Sequence, residues 1–327
     1  MKISCIRSLI GVVSIACLGY VAGTAQAQQT YPSKPIRFVV PYATGGSTTN
    51  VARLIGQRLS ESMGQPVIID NVAGANTMIG TEAVAKAPAD GYTLLLGVSS
   101  QVLIPLLVSA PYDPIKDFTP IASVGATETV MVVYPGLPVN NLREFVALAK
   151  SKPGALNYST GGAGSATHLA SELFNSMAGV SIRHIPYKGA APALVDLAGG
   201  QVEMSFAIPG SAITLIKGGK LKAIAVTGEK RLSALPDVPT FTEAGMPGVE
   251  MKQWYGVVAP ANLPKEIANK LAAEISKIAS SADFKEKLAL QGMDSYIVTT
   301  DQLGAVMRSE SVKFTKIIKD ANIKISQ

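Results

Sequence analysis

The chain has 327 residues, 47% of them hydrophobic and 16% charged, with a formal net charge of +6. That apolar content excludes a disordered protein, and the lack of a Gly-X-Y or heptad period excludes collagen and coiled coil. No dense Lys/Arg stripe with interleaved aromatics occurs, so the mild basic excess suits solubility and anion attraction and excludes a nucleic-acid partner.

Residues 1–27 read as a secretory signal peptide. Lys2 and Arg7 form a positive n-region, an uncharged apolar stretch runs from Ser8 to Gly23, and Ala25-Gln26-Ala27 supplies small residues for cleavage after Ala27. The stretch is shorter than the ~20 residues that span a bilayer, which argues against an uncleaved anchor. Ser14 stands where a lipoprotein signal has a large aliphatic residue before its cysteine, which argues against lipidation at Cys17. Cys5 and Cys17 are the only cysteines, so the mature chain is expected to have no disulfide, thiol nucleophile or cysteine metal site. Lys2 and Arg7 leave with the leader, so +4 of the formal +6 remains. The expected location is the periplasm.

Along the mature chain, Ile36–Pro41 is an apolar run that predicts a buried strand, ending in the loop Tyr42–Thr48. Val51, Ala52, Leu54, Ile55, Leu59 and Met63 recur at helical spacing, and Gly64 supplies a stop. Val67–Ile69 reads as a strand, Asn71–Ala75 as a loop, Ile79–Ala87 as a helix stopped by Pro88, and Tyr92–Leu96 as a strand. The uncharged stretch Tyr92–Tyr112 carries Ser99, Ser100, Gln101, Pro105 and Ser109. It predicts an interior strand ending at Gly97 and then a polar loop, with no stable membrane insertion.

The pattern then repeats. Leu156–Tyr158 is a strand ending in Tyr158-Ser159-Thr160-Gly161-Gly162-Ala163-Gly164-Ser165. A helix follows with Leu169, Ala170, Leu173, Phe174 and Met177 on one face, closed by Gly179. Next come a strand Ile182–Ile185, a loop Pro186–Ala190, a helix Ala191–Ala198 and a strand Val202–Ala207. The offset is 116 residues from Tyr42 to Tyr158 and 115 from Ala75 to Ala190. A near-constant offset predicts two similar α/β lobes, each with a mainly parallel sheet flanked by helices. Ser211–Lys217 (helix), Leu221–Val226 (strand), Thr240–Ala244 (helical turn) and Val249–Val258 (a strand that could cross between lobes) follow. Three helices, Lys265–Ile278, Asp283–Leu290 and Gln302–Lys319, end the chain and are expected to return over the first lobe. Lobe I is then 30–125 plus 252–327, and lobe II is 126–251.

Both Gly-Gly loops fall at the carboxyl ends of strands, where open α/β sheets bind ligands, and both open a helix. A helix start exposes unsatisfied N–H groups and the positive end of the dipole. Thr44, Ser47, Thr48, Thr160 and Ser165 add hydroxyls, and neither loop carries a charge. The expectation is an uncharged anion cradle built from two loops facing each other across a cleft. The plainer reading, that the glycines only make tight βα turns with Ser/Thr caps, stays open.

Catalytic readings find little support. No Gly-x-Ser-x-Gly elbow, phosphate loop or metal-ligand spacing occurs, and the third glycine of a dinucleotide fingerprint is replaced by Thr167. The chain's histidines are His168 and His184; His168, near the second helix start, is a candidate ligand contact, and His184 reads as structural. The protein is expected not to be an enzyme and to need no cofactor or metal.

Pro32-Ser33-Lys34-Pro35-Ile36, Val40-Pro41-Tyr42-Ala43-Thr44-Gly45-Gly46, Asp90-Gly91-Tyr92-Thr93-Leu94, Pro111-Tyr112-Asp113-Pro114, Ile185-Pro186-Tyr187-Lys188-Gly189, Leu235-Pro236-Asp237-Val238-Pro239-Thr240 and Trp254-Tyr255-Gly256 resemble, in order, the Bug-type solute-binding receptors of tripartite tricarboxylate transporters. The resemblance implies a two-lobed, type II periplasmic-binding-protein-like fold whose cleft closes on a small carboxylate, and delivery of that cargo to membrane permease subunits. It implies ligand contacts from Tyr42, Ala43, Thr44, Gly45, Gly46, Ser47 and Thr48 and from Thr160, Gly161, Gly162, Gly164 and Ser165. A periplasmic sensor of the same fold is the alternative, and a secreted enzyme the weaker one. This chain has Thr49 where the family pattern has Asp, and Asn76-Thr77 where it has Gly-Gly. Asn76 and Thr77 therefore join the candidate site, and these departures are expected to alter ligand choice. Gly162 is expected to turn its backbone to the anion and to accept Asp without unfolding.

Overall fold

A computed structural model describes residues 31–320 and 323; the leader reading lies outside them. The chain builds two five-stranded sheets, ordered β2-β1-β3-β10-β4 and β7-β6-β8-β5-β9. In the first, β1 (Ile36–Val40), β2 (Val67–Asn71) and β3 (Thr93–Val98) run parallel, while β10 (Lys252–Pro260) pairs antiparallel with β3 and with β4 (Phe118–Glu128). In the second, β6 (Asn157–Thr160), β7 (Arg183–Pro186) and β8 (Met204–Ala207) repeat the parallel trio, and β5 (Val130–Val133) runs antiparallel between β8 and β9 (Lys222–Val226). The repeat in the sequence is therefore a repeat in topology. Each sheet's fourth strand arrives after a crossing from the other lobe, and the fold is the two-lobed α/β arrangement.

The helix starts and stops have local causes. α1 (Ser47–Met63) buries Val51, Ala52, Ile55 and Leu59 on one face. It ends at Gly64, whose φ of 70° is the left-handed conformation that glycine adopts freely. α5 (Ala166–Ala178) ends in the same way at Gly179, φ 60°. α2 (Met78–Ala85), α6 (Ala190–Ala198) and α7 (Pro209–Lys217) fall where helical spacing predicted them. So do α8 (Lys265–Ser280), α9 (Ala282–Leu290) and α10 (Thr300–Asp320), and α8 and α10 pack on β4 of the first sheet. Period-two alternation sends Phe38, Leu94, Leu96, Tyr255 and Val257 to the face covered by α1 and α8, and Val39, Leu95, Trp254 and Val258 to the other.

Three features differ from the sequence reading. The expected polar loop after β3 is α3 (Ser100–Leu107), although Pro105 lies inside it. Proline removes the donor that would reach the Gln101 carbonyl, and the Tyr112 hydroxyl donates to that carbonyl instead, at 3.4 Å. β10 begins only at Lys252, so the crossing precedes the strand. The segment 115–155, to which the sequence reading assigned no element, adds β4, β5 and α4 (Leu142–Ser151), the last with Leu142, Phe145 and Ala149 buried on one face and Asn141 as its cap. At the first crossing the Thr129 N–H donates to Thr227 Oγ1 at 2.9 Å, and that hydroxyl donates in turn to the Met251 carbonyl at 2.8 Å, tying both crossings together. Among the described residues no helix is long and apolar enough to cross a membrane.

One half-buried acid braces the first lobe. Glu310 on α10 accepts from Trp254 Nε1 at 2.6 Å and from Ser99 Oγ at 3.2 Å, and burial pushes its carboxyl up to about 7. The folded state then holds a proton that the unfolded chain releases from about 4.5 upward. Stability contributed here is present at low pH and lost as pH rises toward 7. Trp254 is the only tryptophan, so its fluorescence is expected to titrate with a midpoint near 7. Glu310→Gln should remove that step and raise the melting temperature at pH 8.

Candidate functional site

The first loop leaves β1 through Pro41 and Tyr42 and becomes α1 at Ser47. Ala43, Thr44, Gly45 and Gly46 are exposed, and none of their amides has an acceptor among the described residues. Gly46 is the N-cap of α1 with no side-chain cap, so the first-turn N–H groups are also unspent. The loop is held from beneath. Asn71 Nδ2 donates to the Tyr42 carbonyl at 2.8 Å and to Thr49 Oγ1 at 2.9 Å, and the Tyr42 and Ser100 hydroxyls are 2.7 Å apart. Ser47 and Thr48 lie against the Tyr255 hydroxyl, which burial pushes up to about 12, leaving it a neutral partner. Thr48 is buried as a residue, beside the Tyr255 side chain. Thr49, where the family pattern has Asp, is fully buried behind the loop. That departure shapes the loop from behind.

The second loop spends more of its own groups. Ser165 Oγ accepts from the His168 N–H at 3.2 Å, and His168 Nδ1 accepts from the Gly164 N–H at 3.1 Å. The Ser165 half is that of a capping box, but His168 takes the amide of the residue before the cap, where a Glu would take the amide of the cap residue itself. Thr160 Oγ1 takes the Gly162 N–H at 3.3 Å and lies 2.7 Å from His184 Nε2. The Gly161 and Ala163 amides have no acceptor among the described residues. Gly164 and His168 are buried, so neither the Gly164 amide nor the His168 Nδ1 is presented to the cleft. Burial pushes His168 down to about 3 and His184 down to about 4, so both imidazoles are neutral near pH 7. The expectation that Gly162 accepts Asp is corrected: its φ of +148° strains any L side chain, although the space beside it is open. Gly161 is favoured by close approach, because a Cβ there would lie 3.1 Å from the Ala190 nitrogen and press on that backbone.

Between the two loops stands a third segment. Gly74, Ala75, Asn76 and Thr77 have φ of 135°, 44°, 52° and 78° in succession. Two of these, Asn76 and Thr77, are the positions where the family pattern has glycine, and here Asn and Thr take up the left-handed backbone. Asn76 is exposed and reaches across: its Oδ1 is 3.7 Å from where a Gly162 Cβ would stand. Thr77 turns inward, and its buried hydroxyl has no partner among the described residues.

The structure thus brings Tyr42–Ser47, Asn76, Gly161, Gly162 and Ser165 to accessible or half-accessible positions, and buries Thr48, Thr77, Thr160, Gly164 and His168. Asn71, Ser100, Tyr255 and His184 support the loops and were not among the expected site residues. Asn71 and Tyr255 carried signals only through their place beside the loop and in the Trp-Tyr-Gly run. Among the described residues no group of His, Cys, Asp or Glu is arranged to hold a metal.

The model of the tripartite tricarboxylate transporter family receptor matches residues 51–323. The chain belongs to that family. Protein BugT of Bordetella pertussis is 36% identical over 99% of this chain and 100% of its own. The solved structure "R. palustris Rpa4515 with adipate" is 35% identical, with TM-score 0.85 over 90% of this chain and 99% of that one. MatC from Rhodopseudomonas palustris with bound malate is 30% identical, with TM-score 0.79 over 88% and 100%. This family member is a solute-binding receptor and not an enzyme.

The left-handed Thr77 gives a direct test. A β-branched residue at φ 78° costs on the order of 1–2 kcal/mol, and the change to glycine also removes the unpartnered hydroxyl. Thr77→Gly is expected to raise the melting temperature of the unliganded receptor by a few degrees. A fall on thermal denaturation would show that the Thr77 side chain has a stabilising contact instead.

Proposed function

We propose that this protein is a periplasmic receptor that closes its two lobes on one carboxylate of a small organic acid and delivers the acid to the permease subunits of a tripartite transporter. The observation that carries the reading is the set of unspent amides at Ala43–Gly46, Gly161 and Ala163, on facing loops that contain no charged residue. Main-chain N–H groups and a helix dipole stabilise an anion without a buried counter-charge. The bound adipate and malate of the two solved relatives support the ligand class. In this reading the lobes meet at Thr129 and Met251, three residues beyond the sequence boundary at the first crossing. The mature chain begins at Gln28, which the intact mass of exported protein checks.

Two outcomes test the ligand class. Adipate or malate at 100 times its dissociation constant should add ~2.7 kcal/mol of stability, and the corresponding diamides should add nothing. Equal melting shifts from acid and amide would sink the anion reading.

Gly46 offers a cleaner probe than Gly162. Its φ is −84°, and a Cβ added there would meet no atom within 4 Å. Asp is a favoured N-cap, so Gly46→Asp should stabilise the unliganded protein by a few tenths of a kcal/mol while placing a carboxylate where the ligand's belongs. Each hydrogen bond to a charged group contributes ~1.5–3 kcal/mol, so losing two weakens binding by at least about a hundredfold. Calorimetry showing unchanged affinity in the folded variant would remove the first loop from the site.

A further inference from the structure

We propose that His168 and His184 are positioning residues for ligand capture: stacked on each other, they hold the two ends of the second glycine loop so that the Gly161 and Ala163 amides face the acid. The inference rests on the receptor reading above. The two rings are 4.1 Å apart at 17°, and His184 stacks in turn on Tyr158 at 4.9 Å. The Tyr158 hydroxyl donates to Glu172, which fixes the far end of the column to α5. His168 and His184 therefore have little freedom to turn, and their nitrogens act as fixed points.

Each fixed point meets one end of the loop. His168 Nδ1 takes the Gly164 N–H at 3.1 Å, and His184 Nε2 is 2.7 Å from Thr160 Oγ1, the atom that also receives the Gly162 N–H at 3.3 Å. Gly162 and Gly164, with φ +148° and +76°, flank Ala163. Glycine at both sides leaves the Ala163 peptide free to rotate unless its neighbours are held. The imidazoles supply that restraint. A residue that only filled space at 168 would not need an acceptor aimed at the main chain, and the buried Gly164 amide has no other acceptor among the described residues. With Nδ1 accepting, the His168 proton sits on Nε2, the neutral tautomer that this geometry requires.

The test separates an acceptor from a ring. His168→Asn places Oδ1 near the Nδ1 position and keeps the acceptor; His168→Phe keeps the stack and loses it. On the full mature protein, hydrogen exchange of a peptide covering 160–168 is expected to accelerate in His168→Phe and to stay near the parental rate in His168→Asn. Adipate or malate affinity should fall at least tenfold in the Phe variant and less than about threefold in the Asn variant. Should His168→Phe not fold, His184→Phe, which keeps the stack and loses the contact with Thr160 Oγ1, must give the same faster exchange and the same loss of affinity. Faster exchange with unchanged affinity would overturn the proposal, as would unchanged exchange. A parental protein that binds no carboxylate would instead overturn the receptor reading itself, and the exchange rates would then report the loop alone.

Discussion

Every parallel strand that turns into a helix leaves main-chain N–H groups at the turn that the helix cannot satisfy. The first lobe leaves them bare, since Gly46 caps with no side chain, while the second partly satisfies its own through Ser165 and His168. The rest of the architecture serves to bring these two turns together. Two copies of one β-α-β winding, joined by crossings stitched through Thr227, direct both sets of strand ends into one cleft.

In the proposed receptor the asymmetry between the loops divides the work of recognition. The first loop is braced from below by Asn71 and Ser100 and offers a helix start with no competing cap. The second loop is shaped in advance by its own side chains and offers fewer amides. An uncharged site avoids burying a cation that would lack a partner whenever the cleft is empty. On the proposed reading capture also depends on the geometry of peptide groups, so that the backbone conformations at Gly45, Gly162, Gly164 and Gly74–Thr77 outweigh side-chain chemistry.

Much of this was legible in the sequence. Short apolar runs marked β1, β2, β3, β6, β7 and β8, and Gly64 and Gly179 marked helix ends, because those signals are local. α3 was not legible: Ser99-Ser100-Gln101 and Pro105 read as a loop, and the compensation comes from Tyr112, which only tertiary packing places over the Gln101 carbonyl. The span of β4 and β5 was hidden because Thr119, Pro120, Ser123, Gly125, Thr127, Glu128 and Thr129 break up its apolar residues, and nothing local says where the chain changes sheets. At the site, the glycines were visible but the fate of their amides was not. That fate turns on the lack of a side-chain cap at Gly46 for one loop and on the side chain four residues beyond Gly164 for the other. Thr49 looked like a lost ligand group and is a buried brace.

The strand exchange between lobes also orders assembly. All five strands of the second sheet lie within one continuous stretch, Val130–Val226, so that sheet has every partner it needs early. β4 pairs in the first sheet only with β10, which is synthesised after the whole second lobe. Until Lys252–Pro260 is available, the first sheet is three parallel strands with an open edge, and β4 is an apolar strand with no neighbour. Long-range pairing of this kind is slow to form. The half-built protein thus cannot lock its earlier-made lobe until β10 is present, although every strand of the second sheet is already there to pair.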